Sequence, residues 1–447
     1  MRKLTEGKPI KVILLFMLPL LVGQIFQLFY NIVDTRIVGQ VLGERSLAAV
    51  GATTSFSDLL IQFVFGITNG FALITASYFG AKDAKNLRKS VASTIILGGI
   101  SAIILSTVCL VFIGNILSFL KVEDNLIVEA KSYICIILAG LIAAAFYNIL
   151  AATLRAVGDS VTPLIFLIIS AVLNVVLDYI LIVYGHLGVA GAAYATVASQ
   201  VVSVILCLVY IKAKYTELIP KREDWVLVKS ILQKMIPTGL SMGFMSSLFN
   251  FGTVCLQTQI NSLGADIIVA HTAARKLFLL LAVPFFTMSM TQASFSAQNM
   301  GAGRMDRIKE GVRDSILVCA GWSLFCFVFI ELFTAGIIKQ IIGMDEPLII
   351  ATSVKYLEFA RWFFIVCASI SIFRNAMQGF GDSVTPIISS SLELIVKVLI
   401  AYFLVPKVGY DGVIVCEPIA WCIMVIPLII NFFRSPLFRK TETINSK

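Results

Sequence analysis

The stretch 161–184, VTPLIFLIISAVLNVVLDYILIVY, carries a single formal charge, Asp178. A run of roughly 18 apolar residues is long enough to cross a bilayer as a helix, and runs of this kind recur along the whole chain. Lipid offers no partner to an unpaired backbone N–H or C=O. A crossing is therefore either a helix or a strand of a closed barrel. Barrel strands are about 10 residues long and alternate in polarity; these runs are longer and do not alternate. Composition agrees, with 58% of residues hydrophobic and 14% charged, against about 25% charged in a soluble domain. The chain reads as an all-α polytopic membrane protein.

Polar breaks divide it into twelve candidate transmembrane helices, at 11–38, 47–80, 89–119, 126–154, 162–184, 188–211, 231–261, 266–299, 308–342, 348–378, 386–406 and 412–434. Residues 1–11 are charged, but no small-residue cleavage site follows. The next apolar stretch is also too long for a signal-peptide core, so it counts as the first span, kept in the protein. Several runs exceed a bare crossing, and such helices tilt or extend past the headgroups.

The breaks alternate in charge. One set holds Arg2, Lys3, Lys8 and Lys11, then Lys82, Lys85, Arg88 and Lys89, then the stretch from Lys212 to Lys234, then Arg304, Arg307, Lys309 and Arg313, then Arg434, Arg439 and Lys440. The other set (GQVLGERS, KVEDN, YGHLG, NSLGAD, GMDEP and KVGYDG) is poor in Lys and Arg. The positive-inside rule makes the first set cytoplasmic. Both termini are then inside, as an even span count requires. The net charge of +9 largely follows from this asymmetry and does not call for a nucleic-acid partner.

The hexapeptide GDSVTP occurs at Gly158–Pro163 and again at Gly381–Pro386, half the chain later. Other landmarks share nearly the same offset: Pro19 in MLPLL with Pro237 in MIPTG, and YFGAKDAKNLRKSV with NMGAGRMDRIKEGV. The chain is thus two six-helix repeats. The expected division is an N-terminal lobe at 1–211, a cytoplasmic linker at 212–229, a C-terminal lobe at 230–434 and a cytoplasmic tail at 435–447. An even number of helices per repeat returns each to the same side, so the repeats are parallel. Transporters commonly use such repeats, with the substrate site at their interface. GDSVTP itself reads as a turn: Gly permits the tight backbone, Asp and Ser cap, and Pro starts the next helix.

Some chemistries are disfavoured. The nine cysteines sit singly in apolar runs, for example Cys207, Cys255 and Cys367, with no CxxC, as small hydrophobic side chains do. The whole chain has two histidines, His186 and His271. That is too few for a conventional zinc site, and they offer no nucleophile–base pair for an intramembrane enzyme.

Twelve spans in two parallel halves, with FYNIVDTRIVG in span one, GDSVTP after span four and LNVVLDYILI in span five, resemble the multidrug and toxic compound extrusion family. The resemblance covers essentially the whole chain. It implies a membrane antiporter that exports mostly cationic, amphipathic compounds on a sodium or proton gradient, through a cavity between two lobes that faces each side in turn. It also implies a cation site in the N-terminal lobe at Asp34, Asn174, Asp178 and Thr196, for H+ or Na+, with no other cofactor. A second site in one branch of the family needs an acid in span seven. SMGFMSSLFNFGTVCLQTQ has none, and Glu358 and Glu393 do not restore the pattern.

The residues themselves make sense of such a site. An ionisable group within a span costs roughly 2.5–3.5 kcal/mol on insertion scales and usually faces a cavity or partner. Asn174 and Asp178 are four apart and share a helix face. At 1.5 Å per residue, Asp34, Asp178 and Thr196 lie roughly 7–12 Å inside the outer ends of their spans, so they can form one layer. Oxygen-bearing side chains at one level suit a hard cation, and two carboxylates in a low dielectric repel, which suits them to proton exchange. The plain alternative pairs Asp34 with Arg36, but two residues apart they point to different faces. Pro19 inside span one can bend it.

Asp58, Arg275, Lys276, Glu331, Glu358, Arg361, Lys397 and Glu417 are further charges within spans. Glu393 with Lys397, and Glu358 with Arg361, are spaced to neutralise each other. Tyr30, Met242, Met245, Phe249, His271 and Arg275, with Phe29, are candidates for a substrate cavity, because aromatic and Met-rich walls accept varied cations. The span-eleven position matching Asn174 is Lys397, so coupling is expected in the N-terminal lobe alone. A flippase for a lipid-linked glycan or other lipid precursor is the alternative function. The expected partners are membrane lipids and small organic cations, and the chain is expected to act as a monomer in the cell membrane. Cysteine-accessibility labelling should place residues 212–229 inside the cell; labelling from outside would overturn this topology.

Overall fold

The computed structural model describes residues 3–342 and 346–435. The expectations for Arg2, Arg439, Lys440, residues 436–447 of the tail and residues 343–345 of GMDEP lie outside the described residues. All regular elements among the described residues are helical: α1 (Pro9–Gly80), α2 (Ala84–Val111), α3 (Ile113–Phe119), α4 (Ile127–Ala156), α5 (Val161–Tyr179), α6 (Val189–Lys214), α7 (Lys229–Ser262), α8 (Ala265–Gly301), α9 (Met305–Ile342), α10 (Pro347–Ala360), α11 (Phe364–Gly379), α12 (Val384–Leu399), α13 (Val405–Val408) and α14 (Tyr410–Arg434). Counted as crossings, with α1 taken as two, they give the twelve spans.

Two spans differ in form from the sequence expectation. The polar break GQVLGERS is no extended loop: the two helical halves of α1 meet there at a kink, whose one non-helical residue is Gly43, with φ 84° and ψ 177°. One glycine in a backbone region closed to other residues does the work of a connection. Span ten is divided by a tight 3₁₀ turn, Arg361–Phe363, between α10 and α11.

Residues 18–243 make one compact unit; residues 4–17 and the described residues from 244 onward make the other. Both boundaries fall inside helices, α1 and α7, and not at the linker.

In the first unit the start of α7 packs on the second half of α1 through two facing GxxxG sequences, Gly66–Gly70 and Gly239–Gly243. A Cβ on Gly70 would sit 2.6 Å from Gly239 Cα, and one on Gly66 would sit 2.9 Å from Gly243 Cα. Lipid tails are as apolar as leucine, so helices associate through such close backbone packing. The linker is also docked here. Tyr215 and Leu218 join the core of Leu87, Leu154, Phe166 and Ile211. The buried Asp224 accepts from Arg88 Nε at 2.8 Å and from the Lys221 N–H at 2.9 Å.

In the second unit the chain start is held by side chains of α8 and α9. The Leu4 N–H donates to Gln298 Oε1 at 3.0 Å, Asn299 Nδ2 donates to Leu4 O at 3.2 Å, and Arg307 Nη1 donates to Gly7 O at 2.7 Å.

The two GDSVTP turns are built alike. Gly158 and Gly381 have φ 88° and 96°. The next N–H reaches back to the preceding helix, Asp159 to Leu154 O at 3.0 Å and Asp382 to Met377 O at 2.9 Å, closing a Schellman turn. Asp159 then accepts from the Thr162 N–H and hydroxyl at 3.0 and 2.8 Å; Asp382 does the same for Thr385 at 3.0 and 2.8 Å. The proline is the third residue of α5 and of α12, where its missing N–H leaves no bond unmade.

The GxxxG crossing gives a test. Gly66→Ala and Gly70→Ala each force a Cβ against the backbone of α7, which has nowhere to yield. Each should cost about 1–3 kcal/mol, measured as a fall in the thermal midpoint of detergent-solubilised protein. Gly51→Ala, where a Cβ meets nothing within 4 Å, should be neutral or stabilising.

Candidate functional site

The first unit gathers its buried polar groups at one place on α1, α5 and α6. Asn174 and Asp178, one turn apart on α5, are 1% and 0% exposed. The Asn174 carboxamide nitrogen donates to Asp178 Oδ2 at 3.1 Å and to the Tyr30 hydroxyl at 2.6 Å, and its oxygen accepts from the Thr196 N–H at 3.0 Å. This orientation matches every donor with an acceptor. The Thr196 hydroxyl donates to Ala192 O at 3.0 Å, which leaves its lone pairs free to accept. Asp34, one turn beyond Tyr30 on α1, has its carboxyl group beside that of Asp178. The other oxygen of each acid, Asp34 Oδ1 and Asp178 Oδ1, is buried and meets no protein donor. Val38, Ile182 and Ala192 form an apolar cluster beside the pair, with Tyr133 packed on it.

Carboxylates only accept hydrogen bonds; a carboxyl–carboxyl bond needs a proton on one of them. Side by side between α1 and α5, Asp34 and Asp178 can share one proton, next to Asn174 and Tyr30. The backbone just beyond Asp178 is also unusual: Ile180–Tyr184 is a π-helical turn, an irregularity frequent at functional sites.

The structure brings together all four residues assigned to cation coupling, Asp34, Asn174, Asp178 and Thr196. The Asp34–Arg36 alternative fails, since Arg36 is exposed and no ion pair joins the two. Tyr30, expected in a substrate cavity, belongs instead to the acid cluster. Pro19 lies within α1, whose only non-helical residue is Gly43. Tyr133, close enough to interact with both acids, was not legible in the sequence: one tyrosine in an apolar span gives no signal without its neighbours.

The other cavity candidates scatter. Phe29 is exposed and Met242 half-buried. Met245 is buried, with Sδ 3.6 Å from Gln378 Nε2. His271 is packed edge-on against Tyr356 and Tyr410, its Nδ1 3.2 Å from the Tyr410 hydroxyl. Only Phe249 and Arg275 line a common cavity.

Of the span charges, Asp58, Lys276, Glu331 and Glu358 are exposed. Glu393 and Lys397 pair as their spacing predicts, at 2.9 Å. Arg361 does not pair with Glu358: it turns to Glu331 on α9 and stacks over the Phe327 ring, while Glu358 stays exposed. Arg374, buried on α11 near Glu393, is a further charge that the sequence reading passed over.

A helical membrane protein of two repeats, with an acid pair buried in the first, has the build of a secondary transporter. Its family follows from comparison: the MatE profile matches residues 19–180 and 241–403, so the chain belongs to the MatE family of transporters. The two matched segments also retrace the internal repeat. The probable multidrug resistance protein YpnP of Bacillus subtilis is 28% identical over 80% of each chain. The probable multidrug resistance protein YoeA of the same organism is 26% identical over 94% of this chain and 92% of its own. A crystal structure of MATE in the bent conformation superposes with a TM-score of 0.91 at 23% identity, covering 98% of both chains. That likeness establishes the fold.

Tyr30→Phe tests the cluster. It removes one hydroxyl from the Asn174 carboxamide and leaves the ring. Loss of one such hydrogen bond should slow coupled transport by about two- to tenfold at normal expression, measured in proteoliposomes; an unchanged rate would remove Tyr30 from the site.

Proposed function

We propose that this protein is a proton-coupled antiporter that exports amphipathic, mostly cationic organic compounds across the cell membrane by alternating access, with both termini in the cytoplasm. The observation that carries the reading is the pairing of two acids, Asp34 and Asp178, each with a buried oxygen that meets no protein donor. A hydrogen bond between the two carboxyl groups needs a proton on one of them. Losing that proton leaves two carboxylates in contact where the dielectric is low, and they repel strongly. Proton occupancy thus decides whether α1 and α5 attract or repel at this depth. Pro19, lacking an N–H for the helical ladder, gives α1 a place to bend in response.

A sodium ion at the same place would need several oxygen ligands. The Asn174 oxygen already accepts from the Thr196 N–H, so a sodium ion would rely on the free carboxyl oxygens and the Thr196 hydroxyl. The proton is the simpler coupling ion. Multidrug resistance, in the names of the relatives, supports the substrate class.

The test is efflux of ethidium from proteoliposomes, with pH and sodium gradients varied independently. A pH gradient alone should drive it. Asp34→Asn and Asp178→Asn should each abolish gradient-driven efflux while expression is kept, and Glu358→Gln should leave the ion dependence intact. A strict sodium requirement would overturn the choice of ion. Retained gradient-driven efflux in both acid variants would overturn the site.

A further inference from the structure

The second unit holds a group of buried charges that the transport site does not use. Arg275 Nη1 on α8 lies 2.5 Å from Glu417 Oε2 on α14, which also accepts from the Tyr356 hydroxyl at 3.1 Å. Lys397 on α12 is 0% exposed. Its ammonium is 2.9 Å from Glu393 and 3.7 Å from Glu417, and 4.5 Å over the Phe249 ring. Arg374 on α11 reaches Ser390 Oγ at 3.3 Å and comes only within 4.0 Å of Glu393; its Nε is buried and makes no hydrogen bond. Glu417 is taken by Arg275 and Glu393 by Lys397. Three cations face two carboxylates, a surplus of one positive charge; Lys397 Nζ is also buried without a hydrogen bond, but of the two only Arg374 lines the neighbouring cavity.

Arg275, Arg374, Glu393 and Glu417 wall a cavity of about 40 Å³, closed on its other sides largely by Phe249, Phe278, Phe286 and Trp421. One water needs about 10–15 Å³ by this measure. The space admits a halide ion or a carboxylate, and excludes a whole amphipathic drug. A second cation entering would meet the surplus charge and be repelled. An anion entering would give the Arg374 guanidinium the charge-assisted bonds it lacks. An aromatic ring attached to that anion would meet the stacked pair of Phe278 and Trp421, 5.8 Å apart at 18°.

We propose that this cavity binds one small monoanionic group, either a free halide ion or the carboxylate of an aromatic compound, with Arg374 as its principal ligand. The site lies wholly in the second unit and does not depend on the proton reading of Asp34 and Asp178.

Trp421 in the wall makes binding readable without transport. In full-length protein carrying Trp225→Phe, Trp322→Phe and Trp362→Phe, iodide should quench the Trp421 emission saturably, and caesium should not. Arg374→Gln should weaken iodide binding about tenfold or more, the size expected for a lost hydrogen bond to a charged group. Glu393→Gln adds to the surplus and should tighten it. This opposite sign keeps the test decisive if Arg374→Gln fails to fold. Displacement of iodide by chloride but not by benzoate identifies a free-ion site; tighter displacement by benzoate identifies a carboxylate site. Linear iodide quenching, equal quenching by caesium, or Glu393→Gln weakening the binding would overturn the proposal.

Discussion

The bilayer accepts no hydrogen bonds, and the rest of this structure depends on that refusal. Each polar group inside the spans must find a partner in the protein, so polar groups collect where several helices converge. In the first unit that place is the contact of α1, α5 and α6, where Asn174 serves Asp178, Tyr30 and Thr196 together. In the second it is the meeting of α8, α11, α12 and α14, where five charged side chains share one interior. The remaining interfaces are closed by apolar side chains such as Leu154, Phe166 and Ile211, except where the glycines of α1 and α7 let backbone meet backbone.

The two repeats share a scaffold and diverge in chemistry. The GDSVTP turns match bond for bond, and α5 and α12 both run into a π-helical turn, at Ile180–Tyr184 and Ile400–Leu404. On that common frame the position counted from the turn holds Asn174 in one repeat and Lys397 in the other. A carboxamide both donates and accepts, and so can adjust to a neighbouring acid that gains or loses a proton. An ammonium only donates and keeps its charge. The first repeat is thereby suited to changing its protonation state, and the second to a standing field.

Much of this was legible in the sequence because lipid enforces simple rules. Apolar runs gave the spans, and the four-residue spacing of Asn174 and Asp178 gave a shared face that the structure keeps. Glu393 and Lys397 were legible for the same reason. What escaped depends on contacts between helices distant in sequence. Tyr30 looked like one more aromatic in a rich span until its hydroxyl met Asn174, 144 residues on. Arg361 was misjudged because the partner it takes, Glu331, lies on another helix, 30 residues away in sequence. GQVLGERS looked like a loop, since polarity marks a break in a span but does not say that a single glycine will make it.

The unit boundaries inside α1 and α7 carry a consequence for the gene. Its midpoint, the stretch encoding the linker, is not the midpoint of the molecule. A half-length product ending there would lack the turns of α7 that close its own packing, and would carry an α1 start that belongs elsewhere. Such a fragment is not a miniature of the whole. Residues 4–17 pack with the second half of the chain and residues 229–243 with the first, so neither half of the gene encodes a piece that closes its own packing.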